Sequence, residues 1–308
     1  MLNFTLILLT YFMILISMAF FTLLERKILG YIQLRKGPNK ISLMGIPLPF
    51  ADAIKLFCKE YSKMMKANLY LFIFMPVFNL TMAIFMWILY PYSSPSFFFI
   101  YSTLMFICIS SISIYPLMLS GWSSNSKYAL IGAIRGVAQT ISYEVSMSFL
   151  IFSLLIIFST FSLLKISFNQ FTPIMTLFPF LFLIWISSIL AETNRTPFDL
   201  SEGESELVSG FNVEYSSNSF AFIFMAEYTN ILSLSLISSI FFISSNLMIF
   251  QDIFMSFKII MVAIFFIWTR GTFPRIRYDF LMNLTWKFFL PISIMSMTFS
   301  LSMIFFIN

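Results

Sequence analysis

The chain has no histidine. That excludes histidine-ligated metals, histidine-ligated haem and a histidine general base. It has only two cysteines, Cys58 and Cys108, in 308 residues. Two thiols permit at most one disulfide and cannot by themselves hold an iron–sulfur centre. Cys108 sits in an apolar run and Cys58 in a basic segment, which argues against a pair. A P-loop, a dinucleotide fingerprint, a serine-hydrolase elbow and metal-ligand spacing are all missing too. Any redox chemistry therefore has to use a cofactor carried by a partner.

Charge is also scarce. Charged residues make up 10% of the chain and hydrophobic residues 59%, with a mean hydropathy of +0.92. Ordinary soluble domains carry about 25% charged residues. Residues 67–126 contain no Asp, Glu, Lys or Arg. Such a stretch cannot be the surface of a soluble domain and reads as bilayer-embedded chain, at about 20 apolar residues per helical crossing.

Eight candidate spans follow, at 4–24, 69–90, 97–119, 137–160, 174–191, 219–244, 253–269 and 288–306. The first is too long for a signal-peptide core and lacks a basic leader, so it reads as a retained span. The segments 91–95 and 121–125 are tight polar turns. Pro76, Pro116 and Pro179 fall in or near spans, where neighbouring helices can satisfy the carbonyls they free. The expected fold is all-α: a polytopic single bundle over residues 1–308 with eight transmembrane helices. Its long inner loops are 25–68 and 191–218. In 50–66, Phe50, Ile54, Phe57, Tyr61 and Met64 form one stripe and Asp52, Lys55, Lys59, Lys63 and Lys66 another, as in an amphipathic helix lying at the interface.

Lys and Arg set the orientation. Connections after the odd-numbered spans, with their helix ends, hold 16 of the 18 basic residues; only Lys165 and Lys258 lie opposite. This is a strong positive-inside pattern with both termini outside. The inner side also holds nearly all the acids. Six of the 13 lie in 191–217, AETNRTPFDLSEGESELVSGFNVEYSS: Glu192, Asp199, Glu202, Glu204, Glu206 and Glu214.

Within that segment, Glu202, Glu204 and Glu206 share one face in extended chain, and Glu202 and Glu206 share one on a helix. Desolvated, three such carboxylates cannot all ionise cheaply, which suits reversible proton uptake. Solvated, they are an ordinary acidic loop, and local chemistry alone fits both. Arg195 and Asp199, four apart, have the spacing of a loop-closing pair. Glu144 and Glu227 fall inside spans, each beside a tyrosine (Tyr143, Tyr228) and neither with a cation within four positions. At mid-membrane a charge costs about 2.5–3.5 kcal/mol, so each needs water, a partner from another helix, or a proton. A buried polar path is favoured over two side chains reaching the interface. Arg26 and Arg35 lie among apolar residues, whereas Lys36, Lys40, Lys63 and Lys66 read as topology anchors. In 270–279, RGTFPRIRYD, aromatics and basics flank a span, which favours lipid or protein contact over nucleic acid.

Several of these segments together, ERKILGYIQLRKGPNK, GWSSNSKYALIGA, AQTISYEV, AETNRTPFDLSEGESELVSGFNVEY, FMAEYTN and PRIRYD, resemble the chain 1 family of mitochondrial NADH–ubiquinone oxidoreductase, respiratory complex I. The likeness runs through most of the chain in the same order. ETNRTPFD followed by EGESELVSGFN is its most specific part; Lys127 departs from it, adding a charge where many members are expected to have none. The resemblance implies an eight-helix membrane-arm core subunit in the mitochondrial inner membrane, with both termini on the intermembrane-space side. It implies ubiquinone as substrate, no redox cofactor on this chain, and flavin and iron–sulfur clusters on partner subunits. The implied partners are the peripheral-arm quinone-site subunits, adjacent membrane-arm subunits and membrane lipids. Carried onto matching positions, Arg26, Arg35, Asp52, Phe224, Tyr228 and Arg275 are the quinone-chamber candidates. Glu144, Glu192, Glu202, Glu204, Glu206 and Glu227 are the proton-coupling candidates. The likeness extends to chains of membrane-bound hydrogenases. A free-standing ion-coupled transporter is the alternative from another class, although no inverted repeat is visible. A plain anchor for a peripheral domain is the third reading.

Overall fold

The computed structural model describes residues 2–41, 43–61, 64–91, 99–170, 172–203, 208–244 and 251–307. Every regular element among them is helical: α1 (Leu2–Ile32), α2 (Leu48–Cys58), α3 (Leu69–Phe85), α4 (Ser102–Ser123), α5 (Lys127–Phe158), α6 (Leu163–Asn169), α7 (Ile174–Leu177), α8 (Pro179–Glu192), α9 (Ser217–Ser238), α10 (Gln251–Thr272), α11 (Tyr278–Leu284) and α12 (Leu290–Ile307). Helix α9 runs on into a π-helical turn, Ser239–Ile243, and another π turn, Thr285–Phe289, joins α11 to α12.

Among the described residues, seven helices are long and apolar enough to cross a bilayer. The fifth expected span is different. Its apolar helix α8 has only 14 residues. Phe178, before Pro179, adopts φ −129° and ψ 69°, so the preceding turn α7 does not join α8. A residue before proline is pushed out of the helical region by the proline ring, which breaks the expected span in two. By contrast, Pro76 and Pro116 lie inside α3 and α4, both buried among neighbouring helices.

Two further boundaries moved. Helix α5 begins at Lys127, ten residues before the expected 137, and has 32 residues. At 1.5 Å per residue it is about 48 Å long, against about 30 Å of hydrocarbon, so hydropathy marks only its apolar part. The interfacial helix ends at Cys58, and Lys59 is extended. Phe50, Ile54 and Phe57 remain on it, but Tyr61 leaves to pack against a small core of Phe72, Phe211, Tyr215 and Ile223. That tertiary contact outweighs continuing the amphipathic repeat.

Two helices organise the bundle. Helix α5 packs against α4, α8, α12 and the turn Gly210–Asn212, and α9 packs against α1, α2, α3 and α10. Between them lies the main core, with Trp185, Phe106, Phe241 and Phe242 fully buried. Outward-facing side chains such as Leu9, Phe12, Phe180 and Met295 are exposed, as a lipid-facing surface requires.

Candidate functional site: a buried carboxylate cluster

The connection from α8 to α9 folds back onto α5 instead of standing in solvent. Gly132 and Gly136, one turn apart on α5, form its seat. A Cβ on Gly132 would lie 2.9 Å from the Gly210 Cα, and one on Gly136 would lie 3.0 Å from the Ser201 Cβ. Gly210 has φ +57°, and a Cβ there would meet the Ser201 carbonyl oxygen at 1.6 Å, so no other residue fits. Gln139, fully buried, donates from its amide to the carbonyls of Ala191 at 2.9 Å and Phe198 at 2.7 Å. Ile276 N–H donates to the Pro197 carbonyl at 3.0 Å, fastening the loop from the other side.

This fold carries Asp199 and Glu202 inward. Glu227, on α9, pairs with Arg195 of the loop at 3.2 Å, with side-chain exposures of 17% and 12%. The cation that Glu227 needs thus comes from another element. Glu202 lies beside Glu227 within hydrogen-bonding reach and accepts from the Asn212 amide. Burial pushes the Glu202 carboxyl well above the usual carboxylate range; the Glu227 charge and hydrogen bond raise it further, and Arg195 and Asn212 offset only part. Asp199 pairs with Arg275 at 3.5 Å, not with Arg195 as the spacing suggested. Burial, then the Glu202 charge, raise its carboxyl to about 6 despite both arginines, because a 3.5 Å contact repays too little of the desolvation.

A polar cavity adjoins the cluster. Its lining includes Glu144, Glu192, Glu227, Asn194, Asn230 and Ser201. Its volume is about 70 Å³. That suffices for a few waters and falls well short of the roughly 300–1,000 Å³ of a ligand pocket. Glu192 Oε2, Asn194 Oδ1 and Ser201 Oγ are buried without a hydrogen-bond partner among the described residues.

The other coupling candidates, Glu204 and Glu206, lie outside the described residues. The quinone-chamber candidates separate into three places. Arg26 and Asp52 form a 2.6 Å ion pair joining α1 to α2, each about half exposed. Tyr228 sits behind them on α9, its hydroxyl donating to Glu25 at 2.7 Å, and Phe224 lies one turn away, 4.4 Å from the Phe220 ring. Between α1, α2 and α9 the aromatic pairs Phe20–Phe50 and Phe57–Phe222 line the same wall. Arg275 belongs to the acidic loop through Asp199. Arg35 stays exposed, its Nε donating to Gln33, and is not brought to the others. None of the six lines the polar cavity.

Glu25 and Arg195 find partners that no local spacing points to. Glu25 is 6% exposed and takes Arg270 and Tyr228 as partners, which are 245 and 203 residues away. Arg195 lies over the Tyr228 ring, 4.8 Å from its centroid. The one sequence signal for Glu25 is an acidic side chain at the end of an apolar run, next to Arg26 and Lys27.

The NADH dehydrogenase family matches residues 5–301. The locust Locusta migratoria protein named NADH-ubiquinone oxidoreductase chain 1 is 50% identical over 296 residues, covering 95% of this chain and 93% of its own. The proteins of the same name from the mosquito Aedes aegypti and the koala Phascolarctos cinereus are 49% and 46% identical, each over 91% of this chain and 89% and 90% of their own. With the match running almost from end to end, the chain belongs to the NADH dehydrogenase family.

Proposed function

We propose that this chain is a core membrane subunit of a proton-pumping NADH:ubiquinone oxidoreductase in the mitochondrial inner membrane, where it walls part of the quinone chamber and couples quinone reduction to proton movement. The observation that carries this reading is the buried assembly of Arg195, Glu227 and Glu202 beside a water-sized cavity reaching Glu192 and Glu144. A solvated acidic loop has no use for such burial, whereas a proton path does. The names of the relatives suggest the reaction, and the 16 basic residues on one side support a topology with both termini on the intermembrane-space side.

Reducing a quinone to a quinol consumes two electrons and two protons. Flavin and iron–sulfur clusters on partner subunits supply the electrons; this chain supplies surroundings for charge. On the wall between α1, α2 and α9, Arg26 and Asp52 meet the chamber with Tyr228 and Phe224 behind them. Proton uptake near that wall changes the field at the loop, where Glu202 and Glu227 share one arginine and cannot both ionise cheaply. A proton released there enters the cavity toward Glu192 and Glu144, with Glu204 and Glu206 as further carriers.

The test is proton translocation per NADH oxidised in sealed vesicles carrying the assembled complex. Glu227→Gln and Glu202→Gln should each cut proton translocation at least tenfold relative to NADH oxidation by an artificial acceptor that bypasses quinone. Full proton stoichiometry in both variants would refute the coupling role.

A further inference from the structure

Glu25 has no place in the scheme above, yet it is one of the most deeply buried carboxylates among the described residues. It sits where α1, α9 and α10 meet, and its two oxygens are divided between the other two helices. Oε1 accepts from Arg270 Nη1 on α10, and Oε2 accepts from the Tyr228 hydroxyl on α9 at 2.7 Å. A carboxylate held at both oxygens by two helices has its plane fixed.

The Tyr228 ring is constrained from two further directions. Phe21, one turn before Glu25 on the same face of α1, meets it edge-on at 5.8 Å and 71°. Its face carries the Arg195 guanidinium, 4.8 Å from the centroid. Arg195 also lies within hydrogen-bonding reach of the Tyr228 side chain and feels the charges of Glu227 and Glu202. One 3.2 Å contact joins it to Glu227, and its Nε is buried without a partner among the described residues. The guanidinium is thus held by Glu227 on one side and by the Tyr228 side chain on the other, so a shift of that ring moves the charge relative to Glu227 and Glu202.

We propose that Glu25 and Arg270 are positioning residues for the carboxylate cluster: they orient the Tyr228 ring, and that ring holds the Arg195 guanidinium between Glu227 and Glu202. This deepens the proposed function and rests on it. The arrangement makes a contiguous link from the α1–α2 wall, where Arg26 is the residue after Glu25, to the proton cavity, where Glu227 is the residue before Tyr228. A displacement at the wall reaches the cluster as a change in the angle of one ring.

The experiment uses the assembled complex in sealed vesicles, with rates normalised to NADH oxidation by the bypassing acceptor. Glu25→Gln keeps an acceptor for the tyrosine but loses the charge that draws Arg270. Tyr228→Phe keeps the ring but frees it from Glu25. Each should lower coupled turnover about tenfold, as expected for a desolvated cation–π contact that loses its geometry, and Glu25→Gln should leave KM for a short-chain quinone unchanged. The double variant should be no worse than the worse single, because both cut the same link. The paired variant Glu25→Leu with Arg270→Leu removes both charges without stranding either and leaves the Tyr228 hydroxyl no acceptor on α1, so it should keep assembly and still lose coupling. Additive single effects, or full coupling in the paired leucine variant, would overturn the proposal by making Glu25–Arg270 a structural pair. Tyr228→Phe removes a single oxygen and carries the test where the charge variants fail to assemble. Glu227→Gln is measured alongside. Loss there with normal coupling in the Glu25 and Tyr228 variants sinks this inference alone, and retention there sinks the coupling reading beneath it.

Discussion

Arg26–Asp52 and Arg195–Glu227 are both arginine–carboxylate pairs between distant segments, and the shorter is the less consequential. The first has 2.6 Å between its atoms but side-chain exposures of 51% and 44%; the second has 3.2 Å with 12% and 17%. Distance sets the Coulomb attraction, but the medium scales it, and water around the first pair competes for both partners. The second has little water to fall back on. Removing one partner there strands a charge that desolvation makes expensive. The first pair is therefore adjustable and suited to meeting a ligand, while the second is a committed part of the interior.

Arg195→Leu breaks the comparison most severely. It leaves Glu227 buried beside Glu202 with no cation, and a stranded buried charge costs about 3–5 kcal/mol. Without that cation nothing balances the negative charge a released proton leaves behind, so proton release from the buried cluster is blocked. The expected result is reduced assembly and loss of proton translocation to below a tenth of normal, read by native gel and by vesicle acidification. Arg195→Leu vesicles that translocate protons normally would show that the buried pair matters no more than an exposed one.

The two regions also differ in how far the sequence disclosed them. Hydropathy revealed six of the eight spans as single long helices close to their observed places, and the topology argument grouped the acids with the basic loops. Arg26 and Asp52 were named together only through the family resemblance, and no spacing pairs them; the structure adds the ion pair between α1 and α2. The buried region was legible only by composition. Spacing linked Arg195 to Asp199, but α9 and the segment after α10 supply the true partners, Glu227 and Arg275. Such long-range pairs leave no local periodicity. Glu25 was invisible for the same reason, since its role depends on three helices meeting. The α5 glycines that seat the loop resemble ordinary helix glycines until Gly210 is placed against them. Local proline chemistry did split the fifth span at Phe178, a break that an apolar count passes over.

A middle-sized effect tests burial within the acidic loop. Asp199 titrates near 6 in place, above its ordinary value, because burial penalises its charge. The folded chain then holds this proton more tightly than the unfolded chain does, so the group stabilises the docked loop fully below about pH 4. That contribution is lost as pH rises through about 6. Proteolytic resistance of the loop in the purified complex should fall across this window in the wild type. Asp199→Asn cannot ionise, so its resistance should vary less with pH there. A wild-type loop that gained protection with rising pH would mean that Arg275, not desolvation, governs the site.

The smallest effect belongs to the exposed pair. Asp52→Asn removes a charge that water largely screens, so stability should change by less than about 1 kcal/mol, as for surface ion pairs generally. What it does change is the guanidinium of Arg26, which Asp52 holds toward the α1–α2 wall at 2.6 Å. Freed, that group samples other rotamers and, in the quinone-wall role proposed for it, meets quinone less often in a useful pose. KM for a short-chain quinone should therefore rise about two- to fivefold with little change in kcat, the scale of one exposed charge contact. Salt sharpens the contrast. The Debye length falls from about 10 Å at 0.1 M to about 3 Å at 1 M, so the KM values of wild type and variant should converge as salt is raised. The defect of Arg195→Leu, set in the interior, should persist at every salt concentration. If Asp52→Asn instead lost assembly as severely as Arg195→Leu, exposure would not be what separates the two pairs.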